Sequence, residues 1–96
     1  MLSTVNLSEV VAKLSERGVP ENEIRIALDG LGLEVVPFDQ STAYRAGLLR
    51  RATRPMGLSL GDRACLALAL QRAAPVFTTD RSWKMLRIGV KVHAIR

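Results

Sequence analysis

Ser59-Leu60-Gly61-Asp62-Arg63-Ala64-Cys65-Leu66-Ala67-Leu68-Ala69-Leu70, followed a few residues on by Pro75-Val76-Phe77-Thr78-Thr79-Asp80, is the stretch whose reading decides the fold. From Ala64 to Leu70 the chain is apolar nearly all round, which predicts a helix over residues 60–73 buried on most sides. Residues 75–79 then have strand composition and stop at Asp80. A central buried helix running into a strand is the signature of an α/β layer structure.

Working outward, residues 81–86 predict a helical turn or two, and the alternation of Val90-Lys91-Val92-His93-Ala94-Ile95 predicts an edge or near-edge strand. Upstream, Ala43, Ala46, Gly47, Leu48 and Leu49 predict a helix over residues 40–52, interrupted by Thr53-Arg54-Pro55-Met56-Gly57. Leu33-Glu34-Val35-Val36-Pro37-Phe38 is rich in strand formers, with Pro37 lacking the N–H a ladder needs. Ile24, Ala27, Leu28 and Leu31 form a stripe behind the acidic first turn Pro20-Glu21-Asn22-Glu23, and Leu7, Val10, Val11 and Leu14 form another over residues 4–17, stopped by Gly18 and Pro20. The order predicts one three-layer α/β domain over residues 1–96 with a mainly parallel sheet.

Composition bounds the function. The chain has 96 residues, of which 48% are hydrophobic and 24% charged, enough for one small core. No apolar run is long enough to cross a membrane, and the N-terminus lacks the basic-then-apolar layout of a secretory signal, so a cytoplasmic protein without a membrane partner is expected. Cys65, the single cysteine, has no intrachain disulfide partner and no nearby zinc-ligand spacing; it reads as a small core residue. The net charge of +5 favours polyanionic partners, and Arg45, Arg50, Arg51 and Arg54 cluster within ten residues, which reads as a solvated helix face. His93 reads as a packing or surface residue and Trp83 as packing for the short helix. A basic nucleic-acid module without a metal is disfavoured, because Phe38, Tyr44, Phe77 and Trp83 are not interleaved with the arginines as a stacking platform.

Three acids stand where chemistry gathers. Asp80 ends a strand, and Glu9 and Asp62 are placed in first helical turns, the edge of an α/β sheet where ligands collect. Each also fits a cap: Ser59-x-x-Asp62 is a capping box, Asn6-x-x-Glu9 a looser version, and Asp80 an N-cap of the following turn. Both readings stand on the spacing alone.

The strings Thr4-Val5-Asn6-Leu7-Ser8-Glu9-Val10, Leu58-Ser59-Leu60-Gly61-Asp62-Arg63-Ala64-Cys65-Leu66-Ala67-Leu68-Ala69 and Val76-Phe77-Thr78-Thr79-Asp80-Arg81-Ser82-Trp83 resemble the PIN-domain ribonucleases, specifically the toxin members of bacterial VapBC toxin–antitoxin pairs. Gly32-Leu33-Glu34-Val35-Val36-Pro37-Phe38-Asp39 is similar to a strand of that family, so the resemblance runs over nearly the whole chain. It implies an endoribonuclease dependent on Mg²⁺ or Mn²⁺, with Glu9, Asp62 and Asp80 as metal ligands and Thr78 offering a hydroxyl that orients water or a carboxylate. It also implies an RNA substrate, an antitoxin protein as partner and a homo-oligomer.

The family opens with a strand that ends in an aspartate, and no such segment precedes the part matched here. The resemblance therefore implies an N-terminally truncated domain that lacks a central strand between those matching Val35-Val36 and Val76-Phe77. Open backbone groups left in this way cost about 1–3 kcal/mol each when buried, and exposed edges invite a second chain. Two expectations follow: a metal-dependent ribonuclease, or a catalytically silent remnant that still binds an antitoxin or RNA.

Overall fold

The computed structural model describes residues 1–78 and 81–94, organised as two compact units, residues 1–38 and residues 39–96. The fold is mixed α/β, and among the described residues both strand pairings are parallel.

In the first unit, β1 (Leu2–Ser3) leads directly into α1 (Thr4–Glu16), followed by α2 (Glu21–Asp29) and β2 (Val35–Val36). Ser3 is the pivot between strand and helix. It is buried, pairs in register with Val36, and caps α1 by accepting the Val5 N–H on its hydroxyl at 3.2 Å. Leu2 lies opposite Val35 and donates its N–H to the Glu34 carbonyl at 2.8 Å. The return from β2 is tied by the Phe38 N–H, which donates to the Thr4 hydroxyl at 2.9 Å.

α1 stops where Gly18 and Pro20 predict. Gly18 takes φ +85°, and the Gly18 and Val19 N–H groups close on the Ser15 and Leu14 carbonyls. α2 carries Glu21 and Glu23 in its first turn, where the helix dipole favours them, and Glu21 pairs with Arg25 at 2.8 Å on the exposed face. Burial in this unit is thin: α1 has no buried residue, α2 buries Ile24, and β2 buries Val36.

The second unit holds α3 (Gln40–Thr53), a 3₁₀ turn (Arg54–Met56), α4 (Leu60–Arg72), β3 (Val76–Thr78), a second 3₁₀ turn (Arg81–Met85) and β4 (Val92–Ala94). Asp39 caps α3: its carboxylate accepts the Thr42 N–H at 3.0 Å and the Thr42 hydroxyl at 2.9 Å. α3 turns Thr42, Ala46, Leu49 and Thr53 inward. The buried Thr53 hydroxyl donates to the Leu49 carbonyl at 2.8 Å, which offsets the cost of taking this polar group out of water. Pro55 fits the 3₁₀ turn, and Gly57 ends it at φ +62° with its N–H on the Arg54 carbonyl, a left-handed conformation that favours glycine.

α4 is the centre of this unit, as its all-round apolar sequence predicts. Ala64, Leu66, Ala67, Leu68 and Ala69 are buried, and Leu66 is wholly enclosed. The small alanines let α3 and α4 pack closely, and the Arg63 guanidinium joins them by donating from Nη1 to the Ala46 carbonyl at 3.0 Å. Beyond α4, β3 and β4 pair with Val76 opposite Val92, Phe77 opposite His93 and Thr78 opposite Ala94. Trp83 is buried in the second 3₁₀ turn, beside β4, in the packing role the sequence suggests.

Three expectations change. Residues 33–38 form only the two-residue strand β2, since Pro37 offers no N–H to extend it. The sequence reading places no strand before α1, whereas Leu2–Ser3 is a strand and pairs with Val35–Val36, so one edge of that segment is occupied. The mainly parallel sheet is present as two separate parallel pairs, β1 with β2 and β3 with β4.

Candidate functional site

Asp62 is the best-defined of the candidate acids. It is the third residue of α4, half-buried, and its Oδ2 accepts the Ser59 N–H at 3.1 Å, while the Ser59 hydroxyl accepts the Asp62 N–H at 3.1 Å. This reciprocal capping box satisfies two of the N–H groups that a helix start leaves open, and it fixes the carboxylate at the positive end of the helix dipole. Capping takes Oδ2 and leaves Oδ1 outside the box, so the two readings of Asp62 are compatible.

Glu9 is placed differently from expectation. α1 begins at Thr4 with Ser3 as its cap, which puts Asn6 inside the helix and Glu9 in its second turn. The Asn6 side chain donates Nδ2–H to Glu9 Oε1 at 3.2 Å, a contact within one helix face rather than a cap. The looser capping box read from Asn6-x-x-Glu9 is therefore replaced by Ser3, whose cap the Ser-Thr-Val wording signals only once the helix start is known. Glu9 is exposed.

Thr78 is the last residue of β3 and is half-buried, at the carboxyl end of a parallel strand where the sequence reading puts it. Asp80 lies outside the described residues, as do Thr79 and Ile95. Glu9 belongs to the first compact unit, Asp62 and Thr78 to the second. Among the described residues no group of three His, Cys, Asp or Glu side chains gathers at one point.

Cys65 lies one turn beyond Asp62 and is half-buried rather than fully buried. Burial pushes its thiol up from its ordinary value, and the Asp62 charge adds to the effect, so the sulfur stays protonated at neutral pH. Arg63, which the sequence sets beside Asp62, turns its Nη1 to the Ala46 carbonyl, and its Nε is buried without a hydrogen-bond partner. Its role is to join the two helices, a function that position after an aspartate does not announce.

In the second unit an acid stands at the start of α4 and a threonine at the end of β3, the strand that follows it. The chain matches the PIN-domain family model over residues 1–89, and it belongs to that family. PIN domains generally use divalent metal ions. No curated protein and no solved structure gives a significant match. Among the described residues, no helix is long and apolar enough to cross a membrane.

Proposed function

We propose that this protein is a metal-dependent endoribonuclease of the VapBC toxin type, hydrolysing phosphodiester bonds in RNA. The observation that carries the reading is the family match over residues 1–89, and Asp62, held by its capping box at the N-terminus of α4, supports it. The wording around Glu9, Asp62 and Asp80 supports the toxin members in particular, and the net charge of +5 supports a polyanionic substrate.

Glu9, Asp62 and Asp80 are the proposed ligands of Mg²⁺ or Mn²⁺, and Thr78 offers its hydroxyl to water or to a carboxylate. When bound, such an ion stabilises charge on the scissile phosphate and lowers the pKa of water. The chain's own contribution at Asp62 is orientation. The Ser59 N–H holds one carboxylate oxygen, so the side chain is set before a cation arrives and Oδ1 remains as the donor. An antitoxin protein as partner and self-association belong to the same reading.

A thermal-denaturation series tests it. Mg²⁺ or Mn²⁺ is expected to raise the melting temperature of the wild-type chain, and Asp62→Asn or Asp80→Asn to remove that gain. Melting that is indifferent to both ions would favour the second reading, a catalytically silent PIN domain that binds an antitoxin or RNA.

A further inference from the structure

The first turn of α4 is weak by composition, and Arg63 reaches out of it to a second helix. Leu60 is exposed and the next position is Gly61, a poor helix former, so the turn has little of its own to resist fraying. The Ser59–Asp62 box holds the groups of this turn to one another. Arg63 makes the longer connection: its N–H donates to the Ser59 carbonyl at 3.0 Å, and its Nη1 donates to the Ala46 carbonyl of α3, 17 residues away, at 3.0 Å. Ala46 is buried on the inward side of α3, so the acceptor belongs to the packed seam between the helices. The same guanidinium is costly where it lies. Its Nε is buried and, among the described residues, has no hydrogen-bond partner, a donor taken out of water and left unmatched. A methionine here would fill a similar length with no orphaned donor. Packing two helices together does not by itself account for an arginine at this position.

We propose that Arg63 is a positioning residue for Asp62: bonded to Ser59 on one side and to Ala46 on the other, it pins the first turn of α4 to α3 and so holds the Asp62 carboxylate in place. The functional consequence rests on the reading of Asp62 as a metal ligand; the tie itself does not. The capping box sets the angle of the carboxylate within the turn, and Arg63 sets where the turn stands. A carboxylate donor works best when the groups behind it are fixed before the cation arrives. A frayed turn must instead be ordered by the ion, and that ordering is subtracted from the affinity. Because the acceptor is a backbone carbonyl, the tie depends on the length and the donors of the side chain at position 63. The unmatched Nε is the stability that this placement gives up.

Amide hydrogen exchange of the metal-free full chain, followed by NMR, tests the proposal together with Mn²⁺ titration and urea unfolding of the same samples. In Arg63→Met the amides of residues 62 and 63 are expected to exchange about tenfold faster and Mn²⁺ to bind about tenfold more weakly, while the urea midpoint stays at or above the wild-type value. Arg63→Lys, which keeps the charge and a donor at nearly the same reach, should recover part of both losses. A residue that served only to pack the helices together would give the opposite split, a lower midpoint with the metal affinity of the folded chain unchanged. That pattern, or the same Asp62 amide exchange in all three proteins, would overturn the proposal. Asp62→Asn identifies where the ion sits. Mn²⁺ binding that survives it, or a wild-type chain that takes up no Mn²⁺, would count against the metal-ligand reading, whereas faster exchange at residue 62 in Arg63→Met would still uphold the tie.

Discussion

Ser59 and Asp62 hold each other at the start of α4, each side chain accepting the other's backbone N–H at 3.1 Å. The pair separates two roles of one carboxylate. Ser59→Ala removes the hydroxyl half of the box and should lower stability by about 1 kcal/mol. Below the melting transition its metal response stays near wild type, whereas Asp62→Asn loses that response. Chemical denaturation beside a metal titration of both variants checks the separation.

Ala73 ends α4 in the left-handed conformation at φ +50°, where a side chain crowds the backbone. Ala73→Gly relieves this and is expected to raise stability by roughly 0.5–1 kcal/mol, the gain being limited by glycine's greater freedom in the unfolded chain. A higher urea midpoint at unchanged m-value is the readout.

Leu66 is enclosed on all sides in the middle of α4. Leu66→Ala removes its methyl groups from a packed site and should cost about 2–5 kcal/mol, a large share of the roughly 5–15 kcal/mol that holds a domain of this kind. Equilibrium unfolding checks the loss.

Asp39 sets the expected acid limb. The Thr42 N–H and hydroxyl hold its carboxyl below the ordinary carboxylate value, with the backbone N–H the larger cause. A carboxyl whose folded value is lowered contributes stability that is present above its unfolded pKa and lost as pH falls through the folded one. The contribution of this cap therefore persists at neutral pH and fades below about pH 4. Asp39→Asn should flatten the fall in stability across that window, as measured by urea midpoints at a series of acid pH values.

Much of the helical part of this fold is legible from residues. Leu60–Arg72 follows from an apolar run too continuous for a surface helix, and Gly18, Pro20, Pro55 and Gly57 mark the breaks through backbone constraints that act locally. Strand Leu2–Ser3 is not legible, because two residues carry no period and its existence depends on pairing with Val35–Val36, more than thirty residues away. The capping box at Asp62 is announced by Ser59-x-x-Asp62. The position of Glu9 is not, since it depends on whether Ser3 or Asn6 starts the helix, and both residue types favour that role. The α3 surface shows the same limit: the arginine cluster is plain in the sequence, but only the inward orientation of Ala46 and Leu49 shows that Tyr44 and Leu48 share its exposed side.

The central claim is that the acids of this PIN domain support metal-dependent cleavage of RNA. The most direct test incubates the purified chain with a mixed tRNA and mRNA substrate in Mg²⁺ or Mn²⁺, with Asp62→Asn, Asp80→Asn and a chelator as controls. The account predicts cleavage that requires the metal and is abolished by each substitution. Cleavage that survives the chelator and both substitutions, or no cleavage by the wild-type chain under any of these conditions, would contradict it.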